Sequence, residues 1–206
     1  MRQQRCLAPL AVTGHLGAAA ACPEGDPVKL LILRHAPALN HGRLAGRTDV
    51  EADCSDQAAF ARMRARIGDP DQVITSPALR CRQTARMLGF PAPHNDERLW
   101  EQDYGAWEGL PFESLPDLGP LPVSELADYR PETGESFHDM AARAHEAIRD
   151  LTCDSLLIAH AGTVRAALAL VVGPQALSFS VAPLSLTVLH RTGDLWSVEA
   201  VNVTAP

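Results

Sequence analysis

The sequence predicts an α/β fold with three layers, α/β/α, around a mainly parallel central sheet, together with a small cap insertion. Three observations support this prediction. Short apolar runs that suit buried strands alternate with amphipathic or apolar helical segments, as in a parallel sheet covered on both faces. The chain has 206 residues, which suits one domain. A segment rich in Pro and Gly, residues 110–135, interrupts the alternation and is interpreted as the cap.

The predicted strands are short and almost continuously apolar, which is typical of strands buried on both faces. The first covers residues 28–33, the second Gln72 to Thr75 and the third Ser155 to Ala159. Ser185 to His190 and Trp196 to Val203 resemble a closing hairpin around Gly193-Asp194.

The predicted helices lie between these strands. They cover Ser55 to Ile67, Pro77 to Leu88, a segment that starts after Ser136, and Thr163 to Val172, which Gly173 ends. The helix after Ser136 is the clearest, because its apolar side chains recur at the spacing of one helical face and Ser136 is a good N-cap.

Composition narrows the classes of function. Hydrophobic residues make up 46% of the chain and charged residues 21%, and the formal net charge is −7. This acidic balance argues against a general nucleic-acid or membrane binder. The five cysteines show no disulfide or zinc spacing, so we expect a reducing cytoplasm and no metal or cofactor. Residues 1–27 are interpreted either as a disordered leader or as the result of a translation start that is assigned too far upstream. A signal or lipoprotein peptide is the alternative, and residues 28–206 form the predicted domain.

Two histidines follow predicted strands. His35 comes after the first strand, in Arg34-His35-Ala36, and His160 after the third, in His160-Ala161-Gly162. Ligands of open α/β sheets bind beyond the carboxyl ends of the strands, so these histidines can share one pocket. Either motif alone is weak, since polar residues often follow buried strands. Ser76 to Ala85, with Arg80, and the Gly-punctuated loop Glu101 to Gly109 strengthen the hypothesis.

The two histidine motifs, the segment Ser76 to Ala85, the loop Glu101 to Gly109 and the motif Gly134-Glu135-Ser136 occur in a characteristic order along the chain. In this order they resemble the histidine phosphatase superfamily, whose fold is phosphoglycerate mutase-like. The resemblance covers roughly residues 28 to 203. It implies that His35 attacks phosphorus and becomes phosphorylated, and that Arg34, Arg80, His160 and Asn40 hold the phosphoryl group. It also implies that Glu101 protonates the leaving group and then activates water. No metal is needed in such a mechanism, because arginines can neutralise the oxygen charge.

Residues 42–50 and 80–85 resemble one branch of the family, the α-ribazole phosphatases of cobalamin biosynthesis. Arg47 and Thr48 are candidates for contact with the outer part of a small phosphorylated metabolite. Asp103 and Glu108 are weaker rivals to Glu101. Ala36 and Ala161 replace the usual glycines of the family, which is tolerable if their φ angles are negative.

Other functions stay open at this stage. A broad-specificity phosphatase, a phosphoglycerate mutase and a non-catalytic binder of a phosphorylated ligand are the alternatives to an α-ribazole phosphatase. A small phosphorylated metabolite is the expected partner, with no nucleic acid and no membrane. A homodimer is an open alternative to a monomer.

Overall fold

A computed structural model describes residues 27–205. One six-stranded sheet forms its centre, in the order β3-β2-β4-β1-β5-β6. The strands are β1 (Val28–Arg34), β2 (Gln72–Thr75), β3 (His94–Asn95), β4 (Ser155–Ala159), β5 (Leu186–Thr192) and β6 (Leu195–Val203). The first four run parallel to one another, whereas β5 pairs antiparallel with β1 and with β6. The mainly parallel sheet predicted from the sequence is therefore confirmed.

Five α-helices accompany the sheet in the described part of the chain. They are α1 (Gln57–Ile67), α2 (Leu79–Met87), α3 (Val123–Asp128), α4 (Phe137–Arg149) and α5 (Ala161–Val172). Successive side chains of a strand point to opposite faces of the sheet. Accordingly, Leu31 and Leu33 of β1 pack in a core with α1 and α2, whereas Leu30 and Ile32 pack in a second core with α4 and α5. This arrangement confirms the three layers.

The ends of the helices follow local side-chain chemistry. The Ser136 hydroxyl accepts a hydrogen bond from the backbone N–H of Asp139, whose carboxylate accepts one from the backbone N–H of Ser136. This reciprocal capping box begins α4 where the sequence predicted it. By contrast, α5 begins at Ala161, two residues before the predicted Thr163, because His160 already occupies the N-cap position.

The predicted cap, residues 110–135, contains α3 and a short 3₁₀ turn (Phe112–Ser114). Its end contacts the loop that follows Glu101: the backbone N–H of Glu135 donates to the carbonyl of Asp103 at 2.7 Å. A Cβ atom at Gly105, whose φ is +50°, would lie 2.1 Å from the carbonyl oxygen of Glu132. Gly105 therefore allows a close approach of the two segments.

The predicted leader, residues 1–27, lies outside the described residues except for Pro27. Its nature stays a prediction. Among residues 27–205, no helix combines the length and the apolar character that crossing a bilayer requires.

Candidate active site

The two histidines predicted to share a pocket lie side by side. Strands β1 and β4 are parallel neighbours in which Arg34 is paired with Ala159, so the residues that follow each strand meet. The backbone N–H of His35 donates to the carbonyl of Ala159 at 2.9 Å. The imidazole rings of His35 and His160 have centroids 5.3 Å apart at an interplanar angle of 67°. Both side chains are buried.

The His35 ring is held in one tautomer. Its Nδ1 lies 2.6 Å from the carbonyl oxygen of Ala36, which can only accept, so Nδ1 carries the proton. Nε2 therefore carries no proton, and its lone pair accepts a hydrogen bond of 3.3 Å from Nε of Arg80. Burial lowers the pKa of His35 to about 3, with Arg80 acting in the same direction. A neutral imidazole with an unprotonated Nε2 is the nucleophilic form.

Arg80, in the first turn of α2, joins both histidines to a nearby loop. Its guanidinium donates to the carbonyls of Gly46 at 2.7 Å and Thr48 at 3.2 Å. One of its terminal nitrogens also lies 3.2 Å from Nδ1 of His160. Arg80 is buried beside both imidazoles. Water would therefore compete little with an anion for binding to its guanidinium.

His160 is oriented by a residue that had no assigned role in the sequence analysis. Because arginine only donates, Nδ1 of His160 accepts from Arg80, and Nε2–H donates to the Ser76 hydroxyl at 2.8 Å. Burial, followed by the charge of Arg80, holds the pKa of His160 well below its ordinary value. Ser76 opens the segment Ser76 to Ala85, but nothing in the sequence indicated which of its side chains would contact a histidine.

Arg34 brings a second cation to the cleft. One terminal nitrogen of Arg34 donates to the carbonyl of Val181 at 2.5 Å, while its Nε is buried without a hydrogen-bond partner. Burial lowers the pKa of Arg34; the carboxylate of Glu101 opposes this effect, and the neighbouring Arg165 and Arg80 add to it. A buried donor without a partner beside other cations is costly, and an anion would relieve that cost.

Glu101 lines the same cleft and closely approaches the start of α5. A Cβ atom at Gly162 would lie 2.2 Å from Oε1 of Glu101, so only glycine leaves room for the carboxylate in this position. Ala36 and Ala161, which replace usual glycines, do not have positive φ angles, so neither departure strains the backbone.

Arg143 of α4 supports the loop that carries Glu101. Its guanidinium donates to the carbonyls of Trp100 at 2.6 Å and Glu101 at 2.8 Å, and to the carboxylate of Glu135 at 2.9 Å. Burial alone would raise the pKa of Glu135, but hydrogen bonds from Arg143 and from the Asp103 backbone lower it below its ordinary value. Sequence reasoning missed Arg143, because no spacing relates it to the loop it holds.

Asp103 and Glu108, the weaker rivals of Glu101, are absent from the cleft lining in the described structure. Glu108 accepts hydrogen bonds from the backbone N–H groups of Arg47 at 2.7 Å and Thr48 at 2.9 Å, and from the Thr48 hydroxyl at 2.8 Å. It thereby holds the loop whose carbonyls bind Arg80. Asp103 accepts from the backbone N–H of Gly105 at 2.8 Å.

Asn40, Arg47 and Thr48, the remaining residues predicted to contact a substrate, do not all lie at the cleft. Asn40 lines the cleft, although its amide nitrogen donates to the carbonyl of Arg43 at 2.7 Å. Arg47 pairs with Glu135 at 2.8 Å, and neither Arg47 nor Thr48 is among the residues found to line the cleft within residues 27–205. Contact of these three residues with a substrate stays a prediction.

The cleft has a volume of about 180 Å³. Its lining residues are Arg34, His35, Ala38, Asn40, Leu44, Ala45, Gly46, Arg80, Glu101, Tyr104, Phe112 and Ala161. The two arginines favour an anion, and Glu101 adds a carboxylate beside them. His160 is buried next to Arg80 and is not among the residues found to line the cleft within residues 27–205. A nucleophilic imidazole beside such charges defines a site for phosphoryl transfer.

Fold and site thus define a class of α/β protein in which a buried histidine, two arginines and a carboxylate meet at one end of a mainly parallel sheet. The chain matches the family "Histidine phosphatase superfamily (branch 1)" over residues 30–204, and it belongs to that family.

Among curated proteins, the chain is 35% identical over 132 residues to the bifunctional protein Rv2228c of Mycobacterium tuberculosis. An uncharacterized protein of Mycobacterium bovis matches to the same extent. Each alignment covers 58% of this chain and 36% of the relative, so the chain spans little more than a third of their length.

Solved structures share the fold. A mycobacterial glucosyl-3-phosphoglycerate phosphatase superposes with a TM-score of 0.75 at 24% identity, covering 87% of this chain and 100% of that one. The protein TTHB049 of Thermus thermophilus superposes with a TM-score of 0.66 at 28% identity, covering 79% and 93%.

Proposed function

We propose that this protein hydrolyses phosphomonoesters of small metabolites through a phosphohistidine on His35, without a metal ion. The observation that carries the proposal is the state of the His35 ring. Its Nδ1 proton is held by the carbonyl of Ala36 and its Nε2 lone pair faces Arg80 in the cleft. A phosphoryl group bound by Arg80 would therefore lie next to the nucleophilic nitrogen.

The reaction has two steps on these residues. In the first, Nε2 of His35 forms a bond to phosphorus while the bond from phosphorus to the ester oxygen breaks, and protonated Glu101 gives its proton to the leaving alkoxide. In the second, Glu101 takes a proton from water, the water oxygen attacks phosphorus, and the bond to Nε2 breaks. Arg34 and Arg80 hold the phosphoryl oxygens, where negative charge is greatest, and His160 joins them when its Nδ1, which accepts from Arg80 in this structure, carries a proton.

For the substrate, α-ribazole 5′-phosphate is the best single candidate. Support comes from residues 42–50 and 80–85, which resemble the α-ribazole phosphatases. Two departures weaken that resemblance: Glu51-Ala52-Asp53 replaces the common Pro-Leu continuation, and Tyr129-Arg130-Pro131 stands in the cap where a tryptophan and an Asp-Pro pair are frequent. A broad-specificity phosphatase is the alternative. A cytoplasmic location and a homodimer stay predictions.

The chemistry is tested with His35→Ala, and with His94→Ala as control because His94 is exposed on β3. Acid quench after incubation with a phosphate-labelled ester should leave an acid-labile, base-stable phosphoprotein in the wild type and in His94→Ala. The His35→Ala variant should retain its fold and lose both the label and turnover. Normal turnover in His35→Ala, or activity that disappears with a chelator, would contradict the proposal.

The substrate is tested by kcat/KM across α-ribazole phosphate, phosphoglycerates, sugar phosphates and a phosphopeptide. Preference for α-ribazole phosphate is the expected result, and a flat profile would remove that assignment. Transfer of phosphate between phosphoglycerate positions would indicate a mutase. Tight binding of an ester without hydrolysis would indicate a non-catalytic binder.

A further inference from the structure

The part of the cleft away from the phosphoryl-binding groups is largely apolar. Besides the charged groups, His35, Asn40 and Gly46, its wall is formed by Ala38, Leu44, Ala45, Phe112 and Ala161, together with Tyr104. Phe112 is 52% exposed, so its ring presents an apolar surface to solvent at the cleft. A leaving group bound in the cleft would therefore meet an apolar surface that water otherwise covers.

Phe112 is held by a hydrogen-bonded backbone. Its N–H donates to the carbonyl of Gly42 at 3.0 Å, and Arg43 and Pro111 form an antiparallel bridge beside it. The N–H of Leu44 donates to the carbonyl of Leu110 at 2.9 Å. The exposed ring thus stands on two connected segments, so binding against it requires little ordering of the backbone.

The cations of the cleft lining are those assigned to the phosphoryl group in the proposed function. Within residues 27–205, Arg34 and Arg80 are the cations among the lining residues. Three nearby arginines lie outside the lining and are already engaged. Arg47 pairs with Glu135 at 2.8 Å, Arg43 donates to the carbonyl of Gly109 at 2.7 Å, and Nε of Arg165 donates to the carbonyl of Phe179 at 3.1 Å. A second anionic group on the substrate would lose water, lie near the carboxylate of Glu101 and find no unengaged cation in the lining.

We infer that the cleft selects phosphomonoesters whose leaving alcohol is uncharged and carries an apolar, preferably aromatic, group that packs on Phe112. This inference rests on the proposed function and adds the chemical class of the leaving group. It disfavours substrates with a second anionic group, such as phosphoglycerates. Apolar leaving groups are favoured because they gain contact area on Phe112. Substrates with a second anionic group are disfavoured because that group finds no cation to pair with.

The test uses three esters of aliphatic alcohols: ethyl phosphate, 2-phenylethyl phosphate and 3-phosphoglycerate. In the wild type, kcat/KM for the phenylethyl ester should exceed that for the ethyl ester by about tenfold, and 3-phosphoglycerate should be the poorest of the three. The Phe112→Ala variant should lower the phenylethyl-to-ethyl ratio about fivefold, because about half of a buried aromatic contact is lost.

Two further variants serve as controls. Phe112→Trp should keep the ratio, since an aromatic face remains. Leu195→Ala removes another exposed apolar side chain, in the β5–β6 hairpin, and should leave the ratio unchanged. A ratio that Phe112→Ala does not alter, or a wild-type preference for 3-phosphoglycerate, would overturn the inference.

Binding of the same esters to His35→Ala, measured by calorimetry, decides the preference without turnover. Tighter binding of the phenylethyl ester that depends on Phe112 supports the inference even if no ester is hydrolysed, in which case only the proposed function fails. Hydrolysis that depends on His35, without preference for the phenylethyl ester, means that only the inference fails.

Discussion

Replacement of Arg143 by methionine should damage both stability and catalysis, because this side chain joins α4 to the loop of Glu101. Its guanidinium makes five hydrogen bonds, to the carbonyls of Arg98, Trp100 and Glu101 and to both carboxylate oxygens of Glu135. The side chains of Arg143 and Glu135 are only 17% and 20% exposed, so this ion pair is not the kind of surface pair that contributes little.

The expected magnitude follows from what methionine leaves behind. Three carbonyls lose a charged donor, and Glu135 keeps Arg47 as its remaining arginine partner. Breaking a buried pair by removing one partner costs about 3–5 kcal/mol, and partial exposure argues for the lower end, about 3 kcal/mol. For a domain of this size, each kcal/mol lowers Tm by about 2–4 °C, so Tm should fall by about 6–12 °C.

Catalysis should fall as well, because the carbonyl of Glu101 is one of the groups that Arg143 holds. A displacement of the general acid by about 1 Å can cost about 100-fold in kcat. Urea unfolding and kcat for one phosphomonoester are measured for Arg143→Met and for Arg149→Met, an exposed arginine at the end of the same helix. Arg149→Met should be close to wild type in both.

A double-mutant cycle with Glu135→Gln checks that the two residues act together. A coupling free energy of about 1 kcal/mol or more is expected for side chains in direct contact. If Arg143→Met costs less than about 1 kcal/mol in the free energy of unfolding, the magnitude derived from the hydrogen bonds is wrong. If it lowers stability but leaves kcat unchanged, Glu101 is positioned by other contacts.

Two further predictions concern the centre of the site. Gly162→Ala should lower kcat about 100-fold, because the new methyl group displaces the Glu101 carboxylate. Tm should stay near the wild-type value, because alanine is the better helix former. An unchanged kcat would contradict the contact between Gly162 and Glu101. The lowered pKa values of His35 and His160 mean that the unfolded chain binds more protons below pH 6.5. Stability should therefore fall as pH decreases from about 6.5 towards 3, by up to about 1.4 kcal/mol per pH unit for each histidine, and His35→Ala should flatten this slope in urea titrations.

Most strands were predictable because parallel strands buried on both faces form continuous apolar runs. The bounds of β2 and β4 agree with the sequence prediction, and β1 extends one residue further to Arg34. Strand β3 was missed, because it consists of two exposed residues, His94 and Asn95, paired with β2. Two polar residues carry no periodicity from which a strand can be inferred.

The central site residues were predictable for a different reason. His35 and His160 each follow a strand, and neighbouring parallel strands end at the same edge of the sheet. The residues that position them were not predictable, since they act through contacts between distant segments. Ser76 lies 84 residues from His160, and Arg143 lies 42 residues from Glu101. No local pattern indicates which hydroxyl or guanidinium will meet which partner.

The arrangement around Arg80 also indicates how substrate binding prepares the nucleophile. Nε of Arg80 donates to the same His35 nitrogen that would attack phosphorus in the proposed mechanism. A phosphoryl oxygen is a stronger acceptor for a guanidinium than a neutral imidazole, because its hydrogen bond is charge-assisted. In the proposed mechanism, Arg80 would turn its hydrogen bond to that oxygen, and the lone pair of His35 would become free as phosphorus arrives beside it.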